Sequence, residues 1–266
     1  MEYTTLGRTE LRVSVVGLGC GGPSCLGLRR GATEDEAIAV VECALDLGVN
    51  LIDTARGYHT EEVVGRAVAG RRAGVVLSTK SRVEDRSGPL SAKSLAQRLE
   101  QSLKHLRTDC VDLYFLHGVL PGEYEHCVKE LVPELFRLRE QGKLRYLGIS
   151  ERFQEDPQHQ MLQRALQNDC WDSVMVGFNS LSPSARESIF PRTRAGGVGT
   201  LIMFAARHLF EREAQSSAEI ADAAYGFCRR EPGADVILTG TGSVEHLKQN
   251  CESILRAPLP PQVVPA

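Results

Sequence analysis

Eight short apolar runs limit what this chain can fold into, because each is followed by a stretch with helical spacing. The runs fall at residues 11–19, 50–53, 75–80, 111–117, 145–150, 173–179, 199–204 and 235–240. They are continuous rather than alternating, as expected of strands buried on both faces. The stretches after them predict helices at about 34–47, 61–70, 91–107, 126–141, 157–167, from Ser182 onward, 217–230 and 243–255. Length alone permits one large domain or two small ones. Eight strand–helix units in about 250 residues fit a closed (β/α)8 TIM barrel better than an open doubly wound sheet. The glycines at the end of the first run and just after it (Gly17, Gly19, Gly21 and Gly22) lead into a loop through Pro23 and Gly31 and do not open a helix, which lowers the dinucleotide-fold reading further. The expectation is an α/β chain forming a single barrel domain over residues 1–266, with short substrate loops.

Local signals punctuate these units. Thr33 followed three residues later by Glu36 is a capping box, and Gly48 stops the helix it opens. Leu95, Leu99, Leu103 and Leu106 form an apolar stripe, and Gly142 closes the helix after the fourth run. The proline-rich tail at 258–266 cannot continue a helix and is expected to be extended.

The net charge of −3 argues against a nucleic-acid partner or a polybasic membrane anchor. No apolar run approaches the roughly 18 residues of a membrane span, and residues 1–8 lack a signal-peptide layout. The cytoplasm is therefore the expected location. Eight scattered cysteines without a Cys-x-x-Cys pair predict reduced thiols and no metal site.

Three successive strands end on residues suited to proton transfer. Asp53 closes the second run, with Tyr58 five residues on, Lys80 closes the third and His117 the fourth. In a TIM barrel these strand ends meet at the face where active sites lie. A free tyrosine titrates near pH 10, and an ammonium beside its oxygen is expected to lower that value. Asp53 would keep the lysine charged, and His117 would hold or relay a proton at a substrate oxygen. Singly, each has an ordinary structural reading as a cap, a packing group or a surface charge. Four together at neighbouring strand ends favour catalysis.

The chain here resembles the aldo-keto reductases over residues 2–254. The carriers are residues 3–9, 50–55 with Tyr58 and Glu61–Glu62, 77–80, 103–117, 142–150 and 240–250. The resemblance implies a (β/α)8 barrel that uses NADP(H), less often NAD(H), to reduce a small-molecule aldehyde or ketone. It implies Tyr58 as general acid, tuned by Lys80 and Asp53, with His117 orienting the carbonyl. It also implies a cofactor lying against Gly19, Cys20, Gly21, Ser150, Met175, Phe204, Gly240, Thr241, Gly242, His246, Gln249 and Asn250.

The chain departs from the family's pattern at the nicotinamide. Glu151 stands where an asparagine is usual, and Met175 replaces a glutamine. Phe204 could supply a stacking ring, but alternation puts it on the other side of its strand. The basic clamp on a 2′-phosphate is replaced by Gly240 and His246, leaving Lys248 or Arg207 to meet it. Short loops predict an open pocket edged by Arg56, Gly57, His59 and Phe153. Two other classes could use the same residues: a non-redox lyase, epimerase or dehydratase, and a nicotinamide-binding regulatory subunit with little turnover.

Overall fold

A computed structural model describes residues 1–207 and 217–257. The proline-rich tail and most of the connection before Ser217 lie outside the described residues. Eight strands form a closed parallel barrel: β3 (Val16–Gly19), β4 (Leu51–Asp53), β5 (Val76–Arg82), β8 (Val111–Val119), β9 (Leu144–Glu151), β10 (Ser173–Gly177), β11 (Gly199–Met203) and β12 (Val236–Thr239). β12 pairs with β3 and closes the ring.

Each strand buries both faces, for two different reasons. Leu51, Val76, Leu113, Phe115, Met175, Leu201 and Val236 point inward and fill the barrel. Their neighbours Ile52, Leu77, Leu116, Val174, Ile202 and Ile237 point outward beneath the helices. Glycine admits the bulkiest interior ring, since a Cβ on Gly148 would come within 2.4 Å of Phe115.

The first apolar run splits in two. Its start, β2 (Arg12–Ser14), pairs antiparallel with β1 (Tyr3–Thr5), and only Val16–Gly19 enters the barrel. The β1–β2 hairpin sends Leu6, Leu11 and Val13 into the interior cluster and floors the barrel. A second small hairpin, β6 (Glu84–Asp85) with β7 (Gly88–Pro89), follows β5 and was not foreseen from the sequence.

The outer layer follows the predicted spacing with local corrections. α1 (Glu34–Asp46) carries the reciprocal capping box: Glu36 N–H donates to Thr33 Oγ1 and Thr33 N–H to Glu36 Oε2. α2 (Glu61–Ala67) and α3 (Ala92–Leu106) lie close to expectation. The next helix has a π turn at Cys127–Leu131 between α4 (Tyr124–His126) and α5 (Val132–Glu140). Pro133 lacks an N–H for the ladder there. α6 spans only Gln160–Ala165, because His159 sits left-handed at φ 57° and cannot extend it. The helix expected from Ser182 is broken into α7 (Ala185–Ser188) and α8 (Phe190–Gly196). α9 (Ser217–Arg229) and α10 (Val244–Arg256) complete the ring. Among the described residues, no helix is long and apolar enough to cross a membrane.

Candidate active site

Register brings the four strand-end residues to one place. Asp53 pairs with Ser78, and Lys80 lies two residues further along β5 on the same inward face. Lys80 Nζ donates to Asp53 Oδ2 at 2.5 Å and to the Thr54 carbonyl at 2.9 Å. Ser78 Oγ donates to the other Asp53 oxygen at 2.8 Å. Asp53 and Lys80 are 3% and 1% exposed, so this is a buried ion pair with both carboxylate oxygens hydrogen-bonded.

Tyr58 stands on a single 3-10 turn, Arg56–Tyr58, just after β4. Its ring lies over Lys80, with Nζ 5.1 Å from the centroid. Its hydroxyl is 3.3 Å from His117 Nε2, and the two rings meet edge-on at 5.4 Å. A Cβ on Gly21 would come within 2.3 Å of the Tyr58 ring, so the chain after β3 can back the tyrosine only as glycine.

The electrostatics correct one expectation. Burial pushes the Tyr58 phenol above its usual value, and the opposing charge of Lys80 does not cancel that effect. The ammonium sits under the ring and directs its hydrogen bonds to Asp53 and Thr54, not to the phenol oxygen. Burial alone would lower the Lys80 pKa, but Asp53 together with Tyr58 and Cys20 outweighs it and holds the ammonium above its ordinary range. Burial, and then the charges of Lys80, Arg82 and Arg152, hold His117 well below the usual imidazole range. At neutral pH the cluster is therefore a protonated phenol beside a neutral imidazole, above a fixed ammonium. Such a set can place two hydrogen bonds on one oxygen and give it a proton.

Recesses of about 730 and 650 Å³ open away from this cluster. The larger lies at the strands' starting ends, where Arg72 and Arg145 are already paired with Asp112 at 2.9 Å each. Neither contains the strand-end residues.

The profile of the Aldo/keto reductase family matches residues 17–208. This chain belongs to that family. Over 162 residues it is 35% identical to the aldo-keto reductase YhdN of Bacillus subtilis, covering 56% of this chain and 47% of that protein. The chain spans about half the length of the curated relatives it matches. The fold matches the holo form of aldo-keto reductase AKR11C1 from Bacillus halodurans at a TM-score of 0.79 and 25% identity. That match covers 97% of this chain and 92% of the other. An aldo/keto reductase from Klebsiella pneumoniae, solved with NADP and acetate, has the same fold at a TM-score of 0.73 and 22% identity. There the coverage is 98% and 96%.

The other candidate residues of this aldo/keto reductase divide into two groups. Gly19 and Gly240 lie together at the ends of β3 and β12, where a Cβ on Gly240 would come 2.8 Å from the Gly19 carbonyl. Thr241 Oγ1 accepts from Ser243 N–H, and Ser243 Oγ caps α10 by accepting from His246 N–H. Gly242 packs against Gly27 of the loop after β3, and His246 and Gln249 face outward. The first turn of α10 thus offers backbone N–H groups to an anion.

Four residues do not point where the sequence placed them. The Cys20 side chain is buried in the layer under the helices, so only its backbone borders the site. Ser150 Oγ accepts from Gly118 N–H at 2.8 Å and lies within bonding distance of the Leu116 carbonyl. It pins the register shift between β8 and β9 instead of facing outward. Met175 is 3% exposed and fills the barrel. Asn250 Nδ2 donates to Thr239 Oγ1 at 2.9 Å, back toward its own strand.

Phe204 departs from the parity of its strand. The chain leaves β11 at Met203, and Phe204 adopts a left-handed φ of 64°. That turn breaks the alternation and stacks its ring on Phe153 at 6.1 Å, with the Arg207 guanidinium 4.5 Å over the Phe204 ring. Phe153 in turn stacks on His159 at 5.5 Å and covers Gly177, where a Cβ would come within 2.3 Å of its ring. The base of this column is Glu151. Its carboxyl accepts from Gly177 N–H at 2.8 Å and contacts His159 Nδ1 at 2.8 Å, while His159 Nε2 meets Ser184 Oγ at 3.0 Å. Sequence reasoning marked Glu151 only as a departure and missed His159. The available signal was a histidine eight residues beyond a strand-end glutamate.

Proposed function

We propose that this protein reduces an aldehyde or ketone to an alcohol with NADP(H), and that Tyr58 is the general acid. The observation that carries this reading is the Tyr58 hydroxyl, 3.3 Å from His117 and above the Lys80–Asp53 pair. The close-packed Gly19, Gly240 and Gly242 and the N-terminus of α10 fit the phosphates of a nicotinamide cofactor, and the proton donors converge where a carbonyl oxygen would gain charge. Backbone N–H groups of residues 240–242 and 244 would hold the pyrophosphate, Ser243 N–H being taken by Thr241. When bound, such a cofactor would supply hydride to the carbonyl carbon. Tyr58 and His117 bind the carbonyl oxygen, and Tyr58 gives it the proton. Lys80 stabilises the phenolate left behind. Asp53 keeps that ammonium charged in a buried site, and Ser78 orients Asp53.

Turnover of NADPH with a panel of aldehydes and ketones, followed by its absorbance, tests the assignment. Tyr58→Phe keeps the ring over Lys80 and removes the proton. Its kcat should fall roughly a hundredfold or more. Equal turnover by both proteins would rule Tyr58 out as the acid.

A further inference from the structure

Arg82 is the last residue of β5, and alternation puts it on the same inward face as Ser78 and Lys80. It is the partner of His117 in the β5–β8 pairing, so it stands one layer above Lys80 at the rim of the barrel. Its Nη1 lies 3.5 Å from where a Cβ on Gly118 would stand, next to His117. Its charge acts on both Tyr58 and His117.

A second guanidinium approaches the same glycine, and the contrast is informative. Arg152 donates to the Gly118 carbonyl at 3.1 Å, but it is held by Glu84 at 3.0 Å and by Glu123 at 3.6 Å. Arg82 is exposed and has no acidic partner among the described residues. It therefore does not serve to tie elements together. Lys80 below it is neutralised by Asp53 and Arg152 beside it by glutamates, so the uncompensated positive charge at this rim is that of Arg82.

We propose that the substrate carries an anionic group, a carboxylate or a phosphate, a few bonds from its carbonyl, and that Arg82 binds it. The inference rests on the carbonyl reduction proposed above. A guanidinium presents a planar fork matched to either oxyanion, so Arg82 would select substrates by charge and fix which end enters.

The test compares substrates that differ mainly in charge. 4-Carboxybenzaldehyde is set against 4-methylbenzaldehyde, and glyceraldehyde 3-phosphate against glyceraldehyde. In the wild type the charged member of at least one pair should have a kcat/KM about tenfold higher, mostly through KM. The pair that shows it identifies carboxylate or phosphate. In Arg82→Met that ratio should fall toward one, and in Arg82→Lys part of it should remain. A wild-type ratio near one in both pairs, or a ratio that survives Arg82→Met, overturns the proposal.

Binding of 4-(hydroxymethyl)benzoate and glycerol 3-phosphate, read by saturation-transfer NMR, separates this inference from the reaction it rests on. If no aldehyde is turned over, but one anion binds and Arg82→Met weakens it about tenfold, carbonyl reduction fails and the Arg82 site stands. Anion binding that is absent, or unchanged in Arg82→Met, removes the site whatever the turnover.

Discussion

At the scale of single residues, the proton on Tyr58 is held by burial. The ring stands over the Lys80 ammonium, but Asp53 lies against the same nitrogen and offsets its charge at the phenol. The phenol pKa therefore sits above its usual value, with desolvation the largest cause. A group whose pKa is raised stays protonated until the pH passes that higher value. The kcat/KM for carbonyl reduction should thus show no loss from Tyr58 up to about pH 10, near the free tyrosine value. A descending limb near pH 8, removed by Tyr58→Phe, would mean that Lys80 outweighs burial after all. His117 titrates well below the ordinary imidazole range, so it should add no limb near neutrality.

The same scale shows what was legible in the residues. The gathering of Asp53, Lys80 and His117 was readable because strand parity is a local property, although β5 and β8 run on to Arg82 and Val119 instead of ending at Lys80 and His117. Ser150, Cys20 and Asn250 were not readable. Their side chains turn toward Gly118, the helix layer and Thr239, and those partners depend on packing across the barrel. The direction of the Phe204 ring was not legible either. One left-handed residue after the strand undid a parity argument that holds everywhere inside it.

At the scale of elements, the wall formed by β9, β10 and β11 depends on one buried carboxyl. Glu151 and His159 side chains are fully buried, and Glu151 satisfies Gly177 N–H as well as the imidazole. Burial raises the Glu151 pKa, so its charged form is disfavoured there. A neutral isostere that keeps an acceptor should therefore be tolerated, and an apolar replacement should not. Glu151→Gln is expected to cost about 1 kcal/mol or less in urea denaturation. Glu151→Leu leaves the Gly177 N–H and the His159 Nδ1 buried without a partner and should cost about 3 kcal/mol or more. Similar losses for both would mean that charge, not hydrogen bonding, holds the wall. His159 itself sits at a left-handed φ, a strained position kept by its stacking on Phe153 and its two polar contacts. Such a device leaves little trace in the sequence, where residues 157–159 read as the start of a helix. The broken helix after Ser182 and the π turn at Cys127–Leu131 were hidden for the same reason.

At the scale of the whole molecule, the two ends of the barrel do different work. The strand C-termini gather buried polar groups, whereas the opposite end is closed by the β1–β2 hairpin and its apolar side chains. Leu6 is fully buried and lies so close to Gly199 that a Cβ there would come within 2.6 Å of the leucine. The hairpin is pinned by Arg8, whose N–H donates to the Gly197 carbonyl and whose guanidinium donates to the Trp171 carbonyl. Leu6 thus links the N-terminus to the floor under β10 and β11. Leu6→Ala removes side-chain atoms that the rigid strand ends cannot replace. It should destabilise the protein by about 3 kcal/mol, within the usual range for such cavities, and lower the urea midpoint accordingly. Below the transition, KM and kcat should stay close to wild type, because the strand-end cluster is at the far end of the barrel. A Leu6→Ala protein of normal stability would show that the hairpin is an appendage. A stable protein with altered kcat would show instead that the floor and the mouth are coupled through the interior side chains.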